Sequence, residues 1–242
     1  MITAPDIRGY VVNLPRRPDR RAWIERSLPS DLAVTVTSDW TGPFDGHTLS
    51  RAMLETAGYK LFPWQIDTDN PWWNRPLKYG EIGCTLAHLA CWQHAANTGT
   101  EPFVLMLEDD AVLSPTFLDE LLRGLERLTS QTRFDLLYLG RYPLEPDQSA
   151  LPGFVSPGYS HCTFGYLLTR PALDILLATQ LEQALVPVDE FLPALYLDHP
   201  RPDLRARFPR QLTAFAFDPP LVGQRPKDEA GSDTEDSAFI DP

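Results

Sequence analysis

Cysteine is scarce in this chain: Cys84, Cys91 and Cys162 are the only three in 242 residues. An odd count without framework spacing excludes a disulfide-stapled domain, and reduced thiols are expected. Long apolar runs are missing too. No stretch approaches the ~20 residues of a membrane span, and no signal-peptide core is read at the N-terminus. A cytoplasmic location is therefore the expectation. Positive charge is in deficit, with 21 Lys and Arg against 33 Asp and Glu and a formal charge of -12. Nucleic acid demands a basic face, so that class of partner is excluded. There is no internal repeat, and the 24 prolines are scattered rather than periodic. What is present is 43% hydrophobic and 11% aromatic. That composition suits a globular chain, long enough for one large α/β domain or two small ones.

Alternating signals run along the chain. Strands are expected at 10–14, 32–37, 103–107, 134–139, 164–169 and 212–217, and helices at 18–28, 49–57, 81–97, 115–128, 171–179 and 188–196. Pro15 and Pro29 close the first strand and helix, and Gly58 is a natural residue to follow a helix end. Residues 59–77 read as loop, and the acidic stretch from Pro226 reads as loosely packed. Strands alternating with helices predict a parallel, Rossmann-like sheet.

The most informative junction is the apolar run 103–107 entering Glu108-Asp109-Asp110. Ligands of open α/β sheets bind at the carboxyl ends of strands, where these acids fall. Adjacent carboxylates repel, and a hard divalent ion shared with phosphates relieves them. The alternative is a solvated acidic turn. Strand alternation puts Glu108 and Asp110 on one side.

Other motifs have a bland counterpart. Arg16, Arg17, Arg20 and Arg21 follow the first strand at a helix start and suit an anionic ligand; a solvated basic turn is the alternative. Lys78 and the glycines after it open the strongest helix, and Lys78 can meet a phosphate or sugar, although a glycine-bearing helix start explains the motif nearly as well. Asp189 and Glu190, after Pro187, are candidate general bases or ordinary helix-capping acids. Trp64, Trp72 and Trp73 can stack on a ligand or staple their loop. Cys84, His88 and Cys91 share one helical face, but a single straight helix cannot wrap a tetrahedral ion at that spacing, so core packing is the preferred reading.

In this order, the segments VVNLPRRPDRR, the FDG turn, RPLKYGEIGCTLAHLACW, LMLEDD, FDLLYLGR, HCTFGYLLTRPAL and VPVDEFLP resemble glycosyltransferase family 25. That family covers bacterial lipooligosaccharide galactosyltransferases and animal collagen galactosyltransferases. The resemblance spans roughly residues 8–237, and VPVDEFLPALYLDHP with GSDTEDS looks like the collagen-type branch, which implies that the tail, loose by composition, is part of the site. It implies an α/β, GT-A type, Rossmann-like fold with a central, mostly parallel sheet. One domain over 1–242 is implied, with a nucleotide-sugar half to about 140 and an acceptor-side half and tail over 141–242.

By the same likeness the donor is UDP-galactose and the cofactor Mn²⁺, with Mg²⁺ the alternative, held by a DxD-like motif. Asp110 is the expected direct ligand, with Glu108 or Asp109 on the ribose or a metal-bound water. Asn13, Leu14, Arg17 and Arg20, with Asp45 and Gly46, are expected to line the nucleotide pocket. Lys78 and Glu81 are expected to face the donor sugar. Asp189 is the first choice for the base that deprotonates the acceptor, Glu190 the second, and inversion is the implied outcome. The acceptor is hydroxylysine of a collagen-like peptide, or a lipooligosaccharide or other glycan; a homodimer is allowed. Ala87 departs from the serine that family members more often carry before the histidine. No second domain or ER-retention tail is read. Two competitors are a haloacid-dehalogenase-type hydrolase, whose first aspartate slot is filled here by Glu108, and a non-catalytic nucleotide-sugar-binding relative.

Overall fold

The apolar run at 103–107 folds as a strand, Phe103–Glu108, whose side chains alternate between two buried cores. Val104 and Met106 enter one, and Phe103, Leu105 and Leu107 the other. The computed structural model describes residues 1–241; Pro242, the last residue of the expected domain, lies outside them. In chain order the strands are β1 (Ile7–Val12), β2 (Ala33–Val36), β3 (Phe103–Glu108), β4 (Ala111–Leu113), β5 (Leu136–Pro143), β6 (Gln148–Leu151), β7 (Phe154–Ser156), β8 (Ser160–Thr169), β9 (Ala214–Phe217) and β10 (Val222–Gln224). The helices are α1 (Pro18–Glu25), α2 (Ser38–Thr41), α3 (Arg51–Thr56), α4 (Tyr79–Thr98), α5 (Phe117–Gln131), α6 (Arg170–Ala178), α7 (Val188–Tyr196), α8 (Pro202–Arg207) and α9 (Lys227–Ala230).

Eight strands form one sheet in the order β2-β1-β3-β8-β5-β9-β7-β6. β8 runs antiparallel to both of its neighbours, β3 and β5, and β7 is antiparallel to β6 and β9. The remaining strands share one direction, which is the Rossmann-like character expected, with β8 as an inserted reverse strand. Helices α4, α6 and α7 pack the core on one face, while α1 and α5 pack the other. The outcome is three layers, α/β/α. Burying a Leu or Phe side chain stabilises by roughly 1.5–3 kcal/mol. All five residues from Phe103 to Leu107 are buried, so the strand that carries the acidic motif is firmly seated.

One departure from the expected strands positions the site. β1 starts at Ile7 and ends at Val12, opposite Glu108, so Asn13 and Leu14 leave the sheet instead of ending the strand. The halves divided near residue 140 share the sheet, since β5 itself crosses that boundary and β8 lies between β3 and β5. Beyond the sheet, β4 follows the acidic motif directly and pairs with β10, Gln224 facing Ala111. That small ribbon delivers the C-terminal tail to the acids.

Candidate active site

At the carboxyl end of β3 a cavity of about 1120 Å³ opens, large enough for a nucleotide sugar. Glu108 and Asp110 line it, as do Arg20, Asp189 and Glu190. Asp109 does not, because it has the opposite parity and turns toward α1. There its Oδ1 accepts from Arg20 Nη1 at 2.9 Å and its Oδ2 from Asn13 Nδ2 at 2.7 Å. With both oxygens taken, Asp109 anchors the turn. The buried Asp110 has one oxygen, Oδ2, 3.2 Å from Gln224 Nε2, while its Oδ1 is buried with no partner among the described residues. Burial and then the Glu108 charge push the Asp110 carboxyl up to about 7 against the opposing pull of Arg20. Glu108 goes the other way: burial opposes its charge, yet His88 and the Thr163 hydroxyl, which donates at 2.8 Å, hold it below its ordinary value. An unsatisfied oxygen beside a second carboxylate is a donor set that a hard divalent cation fits.

The arginine motif faces this cluster through the tail. Asp233 takes Arg16 Nη1 at 2.7 Å and Arg17 Nη1 at 2.8 Å, with Arg20 Nη1 at 3.6 Å. Arg20 also donates to the carbonyls of Ala230 and Gly231, at 3.1 and 2.6 Å from Nη2. Arg21 turns away to Glu25. Residues 231–236 therefore line the site, as the family resemblance implies for the GSDTEDS tail and against the loose end that composition alone predicts. Gly80 is what lets them approach: a Cβ there would lie 2.7 Å from the Asp233 carbonyl oxygen and 2.8 Å from Thr234 Cα. Its N–H donates to Ser237 Oγ at 2.8 Å.

On another wall the N-terminus of α7 presents two acids with different surroundings. Glu190 is buried and accepts from Trp73 Nε1 at 3.1 Å, Tyr159 Oη at 2.9 Å, His161 Nε2 at 3.2 Å and His199 Nε2 at 2.8 Å. Four donors fill the lone pairs of a carboxylate. Burial alone would raise its pKa, but His161 and then His199 override this and bring it down to about 2. Asp189, half-buried, has one weak partner among the described residues, the Cys162 N–H at 3.4 Å. Burial raises its pKa, His161 opposes and Glu190 adds to the rise. A carboxylate poised upward with free lone pairs can take a proton; one saturated by donors cannot.

Of the residues expected at the donor, Arg20, Lys78, Glu81, Glu108 and Asp110 line the cavity. Asn13, Leu14, Arg17, Asp45, Gly46 and Asp109 stand outside its lining. Asp45 accepts from Arg16 Nε at 2.7 Å, and a Cβ on Gly46 would lie 2.5 Å from Gly80, so the FDG turn supports the floor beneath the tail. Lys78 Nζ donates to the Glu235 carbonyl, and Glu81 caps α4 through the Lys78 N–H at 2.6 Å and pairs with Arg75. Both are tied into the wall. Trp64 is buried and staples its loop through Nε1 to the Trp72 carbonyl at 3.0 Å, while Trp72 is exposed at the cavity mouth. The residues that sequence reasoning passed over are Tyr159, His161 and His199. HCTFGYLL was noted as a segment, but nothing in its spacing says that its histidine meets Glu190.

The family model described as "Glycosyltransferase family 25 (LPS biosynthesis protein)" matches residues 6–156. Over 240 residues the chain is 36% identical to "Inactive glycosyltransferase 25 family member 3" of Homo sapiens, covering 95% of this chain and 39% of that protein. It is 35% identical over 242 residues to "Glycosyltransferase 25 family member" of Drosophila melanogaster, covering 96% and 38%. It is 32% identical over 245 residues to "Procollagen galactosyltransferase 1" of Danio rerio, covering 96% and 39%. The chain thus spans about two fifths of the length of the curated relatives it matches.

Proposed function

Because the chain belongs to glycosyltransferase family 25, we propose that it is a metal-dependent inverting galactosyltransferase using UDP-galactose. One observation carries the reading: the buried, partnerless Oδ1 of Asp110 beside Glu108, in the same cavity as the half-buried Asp189. Asp110 would hold Mn²⁺ or Mg²⁺ directly, with Glu108 beside it; Asp109, already paired, would not. Such an ion supplies charge neutralisation of the departing diphosphate. Arg20, Arg225 and Lys227 line the cavity and contribute cationic side chains for the same anion. Asp189 takes the proton of the acceptor hydroxyl as its oxygen bonds to the anomeric carbon. The bond from that carbon to the UDP oxygen breaks, and UDP leaves with the electron pair. Glu190 stays ionised and holds the wall with His161 and His199.

The acceptor we assign first is hydroxylysine of a collagen-like peptide, supported by the similarity to a procollagen galactosyltransferase. A lipooligosaccharide or other glycan is the alternative. A second reading, donor binding without transfer, is favoured by a specific observation: a similar human protein is named inactive. Two variants separate them. Asp110→Asn should abolish metal-dependent donor binding, whereas Asp189→Asn should spare binding and remove transfer. Donor binding by the wild type with no transfer to peptide or glycan acceptors would favour the second reading. Wild-type transfer rates in both variants would overturn the site.

A further inference from the structure

His88 is fully buried in the middle of α4, and its Nε2 has no hydrogen-bond partner among the described residues. Glu108 Oε1 is 3.8 Å from that nitrogen. Cys84, one turn earlier on α4, completes a trio whose ligand-type atoms lie within 4.8 Å of one another. Parity explains the meeting: Glu108 shares the face of β3 with Val104 and Met106, against which α4 packs. Two roles fit a partnerless imidazole nitrogen here. With a lone pair it would be a ligand to a thiophilic ion, together with Cys84 and Glu108. With a proton it would be a donor aimed at Glu108.

The hydrogen bonds behind His88 decide between them. Trp92 Nε1, which can only donate, reaches Tyr166 Oη at 3.0 Å. Tyr166 Oη is 2.7 Å from His88 Nδ1, and Tyr166 is itself fully buried. The phenol has one hydrogen. If His88 carried its proton on Nδ1, that hydrogen would be buried without an acceptor, and Nε2 would lack a donor as well. With the proton on Nε2, Tyr166 donates to Nδ1 and each bond in the chain is made. The remaining N–H then points at the carboxylate of Glu108.

We propose that His88 is a positioning residue for Glu108, presenting Nε2–H to its carboxylate through a chain set by Trp92 and Tyr166. Thr163 donates to Glu108 Oε1 at 2.8 Å, and the Nε2–H of His88, 3.8 Å from the same oxygen, adds a longer-range electrostatic attraction that biases the carboxylate toward its place beside Asp110. This rests on the donor-site reading above, in which Glu108 serves the bound cation and nucleotide. Outer partners of this kind are worth 10- to 100-fold in metal affinity.

The test uses the full chain. Nitrogen NMR of the imidazoles in metal-free wild type should show the His88 proton on Nε2; a proton on Nδ1 overturns the proposal. Calorimetry of UDP with Mn²⁺ is then compared across variants. The amide of His88→Gln can reach Glu108, and this variant should stay within about threefold of wild type; His88→Asn keeps a partner for Tyr166 but falls short of Glu108, and should lose about tenfold. In a Glu108→Gln background the His88→Asn loss should vanish. Equal binding by His88→Asn and wild type, or a better Asn than Gln, reduces His88 to core packing and overturns the positioning role. If Glu108→Gln itself leaves UDP and Mn²⁺ binding unchanged, it is the donor-site reading that fails. Co²⁺ is the probe for the other role: a thiolate-to-cobalt absorption band that disappears in Cys84→Ser would make His88 a ligand and overturn the proposal. Should His88→Asn fail to fold in thermal unfolding, the NMR result on the wild type decides.

Discussion

Two neighbouring carboxylates on α7 are shifted in opposite directions: burial raises Asp189, while His161 and His199 override burial and lower Glu190. Asp189→Asn is expected to leave the affinity for UDP and Mn²⁺ unchanged while lowering transfer by 10²–10⁴-fold, the usual worth of a positioned base. Glu190 answers to pH through stability. Its folded-state pKa of about 2 lies below the ordinary 4.5, so the unfolded chain binds that proton more readily. Its contribution is fully present above 4.5 and is lost as the pH falls through about 2. His161 is shifted upward from 6.5: burial opposes this, but Glu190 and Asp189 prevail, so its contribution is present below 6.5 and lost as pH rises through the folded value. Urea unfolding across this range should therefore show this cluster contributing most between about 4.5 and 6.5. Glu190→Gln should lower stability and flatten both limbs. Unchanged limbs in that variant would show that the histidines are held by something else. At this scale the sequence named both acids, yet it could not rank them by environment. The donors that saturate Glu190 come from positions 73, 159, 161 and 199, far apart in the chain.

Among elements, α4 and the tail form a unit that depends on a missing side chain. Gly80→Ala would put a methyl group within 2.8 Å of backbone at Asp233 and Thr234, which cannot yield as a flexible side-chain end can. The expected cost is about 1–3 kcal/mol of overpacking, read as a lower thermal midpoint with faster amide exchange over 231–237. Unaltered exchange in those residues would mean that the tail is not seated on Gly80. How legible elements were varied with their physics. Helix α7 spans Val188–Tyr196, the bounds the sequence predicts, since Pro187 sets its start and an apolar run follows. Composition alone predicts a loose tail, because polarity and charge say nothing about a distant partner, here the guanidinium groups of Arg16, Arg17 and Arg20 at the start of α1; only the resemblance carried by GSDTEDS places the tail at the site. The hairpin β6–β7 escaped notice because its few residues lie between Pro146 and Pro157, amid other loop-formers.

For the whole molecule, the acidic motif at the end of a parallel strand was enough to locate the cavity, and six like-directed strands bear out the Rossmann-like expectation. Strand β8 was foreseen only over its C-terminal part and without a direction. An apolar run is the same read either way along a sheet, and only pairing fixes its sense. The reversed strand matters to the site: it carries Thr163 to Glu108 and His161 to Glu190, so one strand braces both acidic walls. The central claim is that these walls enclose a metal-dependent nucleotide-sugar site. Its most direct test is calorimetric titration of UDP-galactose into the full chain with Mn²⁺, repeated in excess chelator. Saturable binding that disappears with chelator is the predicted result. No binding to the folded protein in the presence of Mn²⁺, or equal binding with and without it, would contradict the account.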